Sequence, residues 1–255
     1  MVIAGHGPTL LLIPGIQGRW EWAAPAVEAL AQRLRVVTYS LSGERNVVPP
    51  LVPRTFDDLV RQALNALNRV TSGPAVVCGV SYGGLVALRL AARHPTRVRA
   101  VVLASPLNAD FTPDARIARW TKHPRLMAPA FLAGSPGRIL PELRAAYGNG
   151  WLRNGARLLA RVIRAPHSPD RMADRLRMVA CEDLVADCRA VRQPALLVTG
   201  EPRLDRIVPA EASCRMLEWL PDARHVTLDR TGHWGLVTRR DEFARHITEF
   251  VESLP

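Results

Sequence analysis

The sequence predicts an α/β fold: a mostly parallel central sheet with helices on both faces, carrying a helical cap insertion. Three observations support this. Apolar runs of strand length alternate with stretches of helical period, and the runs are apolar throughout, as in strands covered on both sides. A serine flanked by glycines, Gly79-Val80-Ser81-Tyr82-Gly83-Gly84, stands where one such run passes into a helix. The alternation then stops between Leu107 and Gln193, where Pro and Gly breaks separate short helical pieces and no convincing strand occurs.

The elements follow in order. Thr9 to Ile13 reads as a first buried strand, broken by Pro14-Gly15-Ile16-Gln17-Gly18, a loop whose backbone amides can approach a ligand. Trp20 and Trp22 precede a helix from Pro25 to Leu34, with Val27, Leu30 and Leu34 on one face. Arg35 to Tyr39 is the next strand, and a polar, proline-rich loop runs from Ser40 to Arg54. Thr55 followed by Asp58 is an N-cap signal for a helix carrying Leu59, Ala63, Leu67 and Val70. Ala75 to Cys78 is the strand before the serine, and Leu85, Leu88 and Ala92 give the helix after it. His94, next to Pro95, reads as a helix C-terminal residue favoured by the dipole. Val98 to Ala104 is a further strand, broken in polarity only by Arg99.

Within 107–193, the helical pieces include Leu152 to Arg164 and Arg171 to Cys188. The sheet resumes at Ala195 to Gly200. After it come Asp205-Arg206-Ile207-Val208-Pro209, a helix through Ala212, Met216 and Leu220, and a strand from Arg224 to Leu228. Thr231-Gly232-His233-Trp234-Gly235 is a loop, and Asp241 to Leu254 is a last amphipathic helix. A chain of 255 residues suits one large domain with an insertion, so residues 1–106 and 194–255 are expected to form the core and 107–193 the cap.

Composition excludes several classes. The net charge is +11, but Lys122 is the single lysine, the arginines are spread along the chain among acids, and no aromatic–basic stripe is visible. No nucleic-acid partner is therefore expected. The segment 107–193 has fourteen arginines and one lysine against eight acids, the more basic part of the chain. No apolar run reaches the eighteen or so residues of a membrane span, and no signal peptide is read, so a cytoplasmic location is expected. Cys78, Cys181, Cys188 and Cys214 form no Cys-x-x-Cys pair and no histidine cluster completes a metal set, so neither a metal nor another cofactor is expected.

The chemistry centres on Ser81. A serine on a sharp strand-to-helix turn takes a strained conformation, and Gly79 and Gly83 remove the Cβ atoms that would crowd it. The Tyr82 amide then lies at a helix N-terminus, able to donate to a developing oxyanion. In an open parallel sheet the loops after the strands gather at one edge. Those loops hold Ser81, Asp205 and His233: a nucleophile, an orienting carboxylate and a base. Glu201 and Asp229 are weaker candidates for the acid. His123 and His167 fall in the cap as surface or wall residues, His225 in a strand, and His246 on a polar helix face.

Four motifs occur in this order: Pro14-Gly15-Ile16-Gln17-Gly18, Gly79-Val80-Ser81-Tyr82-Gly83-Gly84, Asp205-x-x-Val208-Pro209 and Gly232-His233-Trp234. With them the chain resembles the α/β-hydrolase superfamily from about Thr9 onward, most closely its capped, esterase- and lipase-like branch. The resemblance implies Ser81 as nucleophile, His233 as general base then acid, and Asp205 as its orienting carboxylate. It implies an oxyanion hole from the amides of Ile16 and Tyr82, and a lid over 107–193 that shapes access. Gln17, Trp20, Trp120, Phe131, Trp151 and Trp234 are candidate substrate-pocket residues. Two departures stand out: the first loop starts Pro14-Gly15 where the family usually has His-Gly, and only Met1 to Gly7 precede the Thr9 strand, where the family usually has a hairpin, so the sheet is expected to be shortened.

The expected function is a serine hydrolase acting on an ester or similar small acyl compound through an acyl-enzyme. The same triad also suits carbon–carbon bond hydrolysis or cyanohydrin cleavage, and a hydrolase scaffold can serve as a non-catalytic binding protein. The basic lid would suit a carboxylate-bearing substrate. Oligomeric state is not encoded in these patterns.

Overall fold

The computed structural model describes residues 1–45, 47 and 52–254, so residues 46 and 48–51 of the proline-rich loop lie outside the described residues. The sheet comprises β1 (Val2–Ala4), β2 (Thr9–Ile13), β3 (Arg35–Thr38), β4 (Ala75–Val80), β5 (Val98–Ala104), β6 (Ala195–Gly200) and β7 (Ala223–Leu228), in the spatial order β1-β3-β2-β4-β5-β6-β7. All neighbours are parallel except β1, which runs antiparallel to β3 with Val2 opposite Thr38.

Helices α1 (Ala24–Leu30), α2 (Phe56–Asn68) and α3 (Tyr82–Arg93) connect the first strands. Between β5 and β6 lie α4 (Ala115–Lys122), α5 (Pro124–Ala133), α6 (Ser135–Tyr147), α7 (Trp151–Arg164), α8 (Pro169–Val179) and α9 (Leu184–Ala190). Short α10 (Ala210–Cys214) and α11 (Gly235–Thr238) and the longer α12 (Arg240–Glu252) complete the chain.

Strand side chains alternate between two apolar layers, as the period of two requires. Leu11, Ile13 and Val77 pack with α2 and α3, whereas Leu10, Leu12 and Val76 face α1 and α12. The Thr55 capping box forms: Thr55 Oγ1 accepts from the Asp58 amide at 3.3 Å, and Asp58 Oδ2 accepts from the Thr55 amide at 3.0 Å. The chain proceeds from β2 outward to β3, then returns to place β4 on the other side of β2. That reversal opens a crevice at the carboxyl ends of β2 and β4, where ligands bind in open α/β sheets.

Three local expectations differ. The first helix ends at Leu30, and residues 31–34 form a turn closed by Leu34 N–H to Leu30 O at 2.9 Å. The carbonyls of Ala31 and Leu34 lie against Gly5, which leaves no space for a Cβ there. The stretch from Arg171 to Cys188 is two helices, because Asp183 accepts from the Ala186 amide at 2.9 Å and starts α9 afresh. Val2–Ala4 is a strand too short to carry a period. It caps the sheet edge, and brevity is one way an edge strand avoids pairing with other chains.

Residues 107–193 hold helices and no strand among the described residues. The last of them, α9, packs on α3, with Leu184 and Cys188 in the same apolar cluster as Val77. Buried Arg89 of α3 fastens that contact, donating to Asp187 at 2.7 Å and Glu182 at 2.6 Å.

Candidate active site

Ser81 joins β4 to α3 with φ 52° and ψ −119°, a left-handed conformation that costs a non-glycine residue energy. The surrounding structure holds it there. Its N–H donates to Ala104 O at 2.8 Å and its carbonyl accepts from Gly84 N–H at 2.9 Å. A Cβ on Gly79 would collide with the Gly83 backbone, and one on Gly83 would come within 2.6 Å of Pro14 O. Both glycines are thus required by close backbone approach. The Tyr82 amide is the first of α3 and has no acceptor within the helix.

The loop after β2 closes on this turn. A Cβ on Gly15 would lie 3.5 Å from Ser81 Cβ and 3.2 Å from Gln17 Oε1, so Gly15 borders the serine and the Gln17 side chain lies next to it. Gly18, at φ +72°, folds the loop back with its N–H on Gly15 O at 2.9 Å.

Asp205 follows β6 and His233 follows β7. The Asp205 side chain is almost fully buried, and Oδ1 accepts the amides of Ile207 at 3.0 Å and Val208 at 2.9 Å. Its other oxygen, Oδ2, meets His233 Nδ1 at 3.2 Å. Gly232 has no space for a Cβ beside the Leu204 and Asp205 backbone, and Gly200 none beside Gly232, so the two loops touch. Neither Ser81 Oγ nor His233 Nε2 has a hydrogen-bond partner among the described residues. Asp205 and His233 are therefore paired, Ser81 and the Ile16 loop are adjacent, and no hydrogen bond joins Ser81 to His233. Apo sites commonly tighten such contacts only when substrate is bound.

The candidate wall residues separate into groups. Trp120 is buried against Ile16, Met172 and Ala173, with Phe131 6.0 Å away ring to ring. Trp234 stacks on Trp22 at 5.7 Å, and Trp22 meets His167 edge-on and donates Nε1 to Ala165 O at 2.9 Å. Trp151 instead packs at the start of α7 on the cluster containing Leu143 and Leu158, under the Arg144 guanidinium. Trp20 opens a 3-10 turn, so Trp22 rather than Trp20 makes the bridge to the His233 loop.

Two buried charged groups were not singled out in the sequence. Arg175 of α8 donates Nη1 to Ile16 O at 2.7 Å and pairs with Glu44 at 2.8 Å. Burial holds its pKa below the usual arginine value, and its charge joins burial in lowering that of His167. Glu142 of α6 accepts from Thr231 Oγ1 at 2.7 Å and from the Trp234 amide at 2.9 Å. Burial raises its carboxyl pKa. No group of His, Cys, Asp and Glu suited to a metal occurs among the described residues, and no helix there is long and apolar enough to cross a membrane.

A profile described as alpha/beta hydrolase fold matches residues 8–239. The chain belongs to the alpha/beta hydrolase family. A poly(3-hydroxyalkanoate) depolymerase of Ectopseudomonas oleovorans is 26% identical to this hydrolase over 251 residues, 97% of this chain and 85% of the relative. A pimeloyl-[acyl-carrier protein] methyl ester esterase of Nitrosomonas europaea is 29% identical over 252 residues, 94% of each chain. The crystal structure of the enol-lactonase from Burkholderia xenovorans superposes with a TM-score of 0.80 at 24% identity, covering 99% of this chain and 95% of that one. That last likeness concerns the fold alone. Together these findings identify the fold and a hydrolase family whose named members include an esterase.

Proposed function

We propose that this alpha/beta hydrolase cleaves an ester or similar acyl substrate through an acyl-enzyme on Ser81. The reading rests above all on the Asp205 Oδ2 to His233 Nδ1 contact at 3.2 Å, at the same carboxyl edge of the sheet as a serine held at positive φ. With Nδ1–H committed to Asp205, the neutral ring carries its lone pair on Nε2, the tautomer a general base needs.

Ser81 Oγ attacks the substrate carbonyl carbon while His233 Nε2 takes the hydroxyl proton. The carbonyl π electrons move to oxygen, and the Ile16 and Tyr82 amides donate to that oxyanion. On collapse the bond to the leaving group breaks, and His233 returns the proton to it. Water then repeats the sequence on the acyl-enzyme: His233 takes a water proton, hydroxide adds, and Ser81 leaves as the alcohol. Trp120 and Phe131, from helices that act as a lid, form an apolar wall beside Ile16.

The test is intact-protein mass after fluorophosphonate treatment, on the parent and on Ser81→Ala. One adduct on the parent and none on the folded variant is the expected result. Turnover of p-nitrophenyl esters by Ser81→Ala at the parent rate would sink the assignment. A panel of neutral and carboxylated esters then defines the acyl group.

A further inference from the structure

Glu142 has a place that the hydrolytic scheme above does not use. It lies on α6, within the segment between β5 and β6, yet only 1% of it is exposed. Its partners are all on the loop and short helix that carry His233. Oε1 accepts from Thr231 Oγ1 at 2.7 Å and from Trp234 N–H at 2.9 Å, with Thr238 Oγ1 at 3.3 Å. Thr231 is two residues before His233 and Trp234 one after, so a single carboxylate oxygen holds the Thr231 hydroxyl on one side of the imidazole and the Trp234 backbone on the other. The Thr231 and Thr238 hydroxyls also hydrogen-bond to each other, and both side chains are buried.

The same helix grips the neighbouring loop. Pro141 has no N–H to offer the carbonyl four residues earlier, which leaves Gly137 O free. Arg206, next to Asp205, donates Nη1 to that carbonyl at 3.2 Å. One turn of α6 thus touches both loops whose side chains pair as Asp205 and His233.

We propose that Glu142 is a positioning residue: it fixes the 231–234 loop so that His233 stays against Asp205 and presents Nε2 to Ser81. This rests on the serine-hydrolase reading. A core built only for stability has little use for a lone carboxylate here, because apolar side chains of like volume fill such a site without desolvating a charge. Donors that converge on one buried acceptor, in contrast, hold the loop that carries them, since leaving either of them unpaired in the core is costly. Glu142 touches neither the serine turn nor the Ile16 loop, so its effect is on the chemical step and not on substrate affinity.

The experiment compares the parent with Glu142→Ala, Glu142→Gln, Thr231→Val and Leu158→Ala. The last removes apolar contacts from the cluster that Trp234 borders and leaves the Glu142 hydrogen bonds in place. The readouts are the rate of fluorophosphonate adduct formation, kcat and KM on p-nitrophenyl acetate, and Tm. Glu142→Ala is expected to lower kcat and the labelling rate about 100-fold, the size of a small misplacement of a reacting group, with KM little changed. Glu142→Gln regains part of that loss, since its amide oxygen can accept the Trp234 N–H. Thr231→Val keeps the shape, removes one anchoring donor and lowers kcat about tenfold; it decides the matter if Glu142→Ala does not fold. Leu158→Ala lowers Tm and keeps kcat.

Parent-like labelling in both folded Glu142→Ala and Thr231→Val overturns the positioning role while leaving the Ser81 reading intact. An equal loss of kcat in Leu158→Ala overturns it as well, since the effect is then one of general stability. A well-folded parent with no adduct at Ser81 overturns the hydrolase reading, and this inference with it.

Discussion

Arg175 reaches from α8 to the loop after β2, and its Nη1 donates to the Ile16 carbonyl at 2.7 Å. The same guanidinium pairs with Glu44 at 2.8 Å, beyond β3, and its Nη2 donates to Ser42 O at 3.3 Å. Both ionic side chains are 1% exposed. A residue from the helical segment thus fastens the loops after β2 and β3 together beside Ser81. Gly18 is required there, since a Cβ would come within 2.6 Å of the guanidinium nitrogens.

Replacing Arg175 by Met should therefore destabilise the protein by about 3–5 kcal/mol, because Glu44 is left buried and unpaired. Fluorophosphonate labelling should slow in the same variant, since the Ile16 loop loses its anchor. The double variant with Glu44→Met should recover much of the stability and none of the labelling rate. Urea unfolding and timed mass spectrometry check the two halves separately.

Asp205→Asn should keep the two bonds from the Ile207 and Val208 amides, and so should keep the fold. It should lower kcat about 10^4-fold, because the amide favours the wrong His233 tautomer. A variant with unchanged Tm and near-parental kcat would shift the acid role to another residue, with Glu201 and Asp229 the first to test.

Gly79→Ala should cost more than about 4 kcal/mol, the range of changes that force a backbone to move. The added Cβ would meet Gly83 and Gly84 backbone atoms, which have no rotamer to give. Thermal unfolding against a surface Gly73→Ala control, where only the Thr71 hydroxyl lies near at 3.8 Å, measures this.

Glu142 makes a pH prediction of definite sign. Burial raises its carboxyl pKa, outweighing the hydrogen bonds from Thr231, Gly232 and Trp234 and the attraction of His233. The folded state then binds this proton more tightly than the unfolded chain, so the contribution of Glu142 is fully favourable below the ordinary glutamate pKa of about 4.3. It is lost as pH rises through the elevated folded value. Glu142→Gln has no such proton, so its stability relative to the parent should increase as pH rises above the ordinary glutamate pKa of about 4.3. Urea midpoints at stepped pH check this, and a flat difference would count against a raised pKa.

Much of the architecture was legible because it depends on local pattern. Apolar runs such as Thr9–Ile13 and Ala195–Gly200 have one stable use, as strands covered on both faces, and the Thr55–Asp58 pair formed the capping box its spacing predicts. The break in α8–α9 and the strand Val2–Ala4 were not legible. One depends on a single aspartate choosing to cap, and the other on pairing with a strand some thirty residues away. Among aromatic residues, sequence could not separate Trp22, stacked on Trp234, from Trp20, because the contact spans over two hundred positions.

The sequence by itself determined the strand–helix alternation, the glycine-flanked turn at Ser81, and the order in which Ser81, Asp205 and His233 appear. Each follows from spacing, side-chain volume and backbone freedom within a few residues. Tertiary structure alone decided that Asp205 Oδ2 faces His233 Nδ1, that Arg175 is the arginine on the Ile16 carbonyl, and that Glu142 is the buried acid on the His233 loop. Those are electrostatic pairings between distant segments. Nothing local marks one arginine among thirty-three or one glutamate in a basic segment until folding removes water from around it.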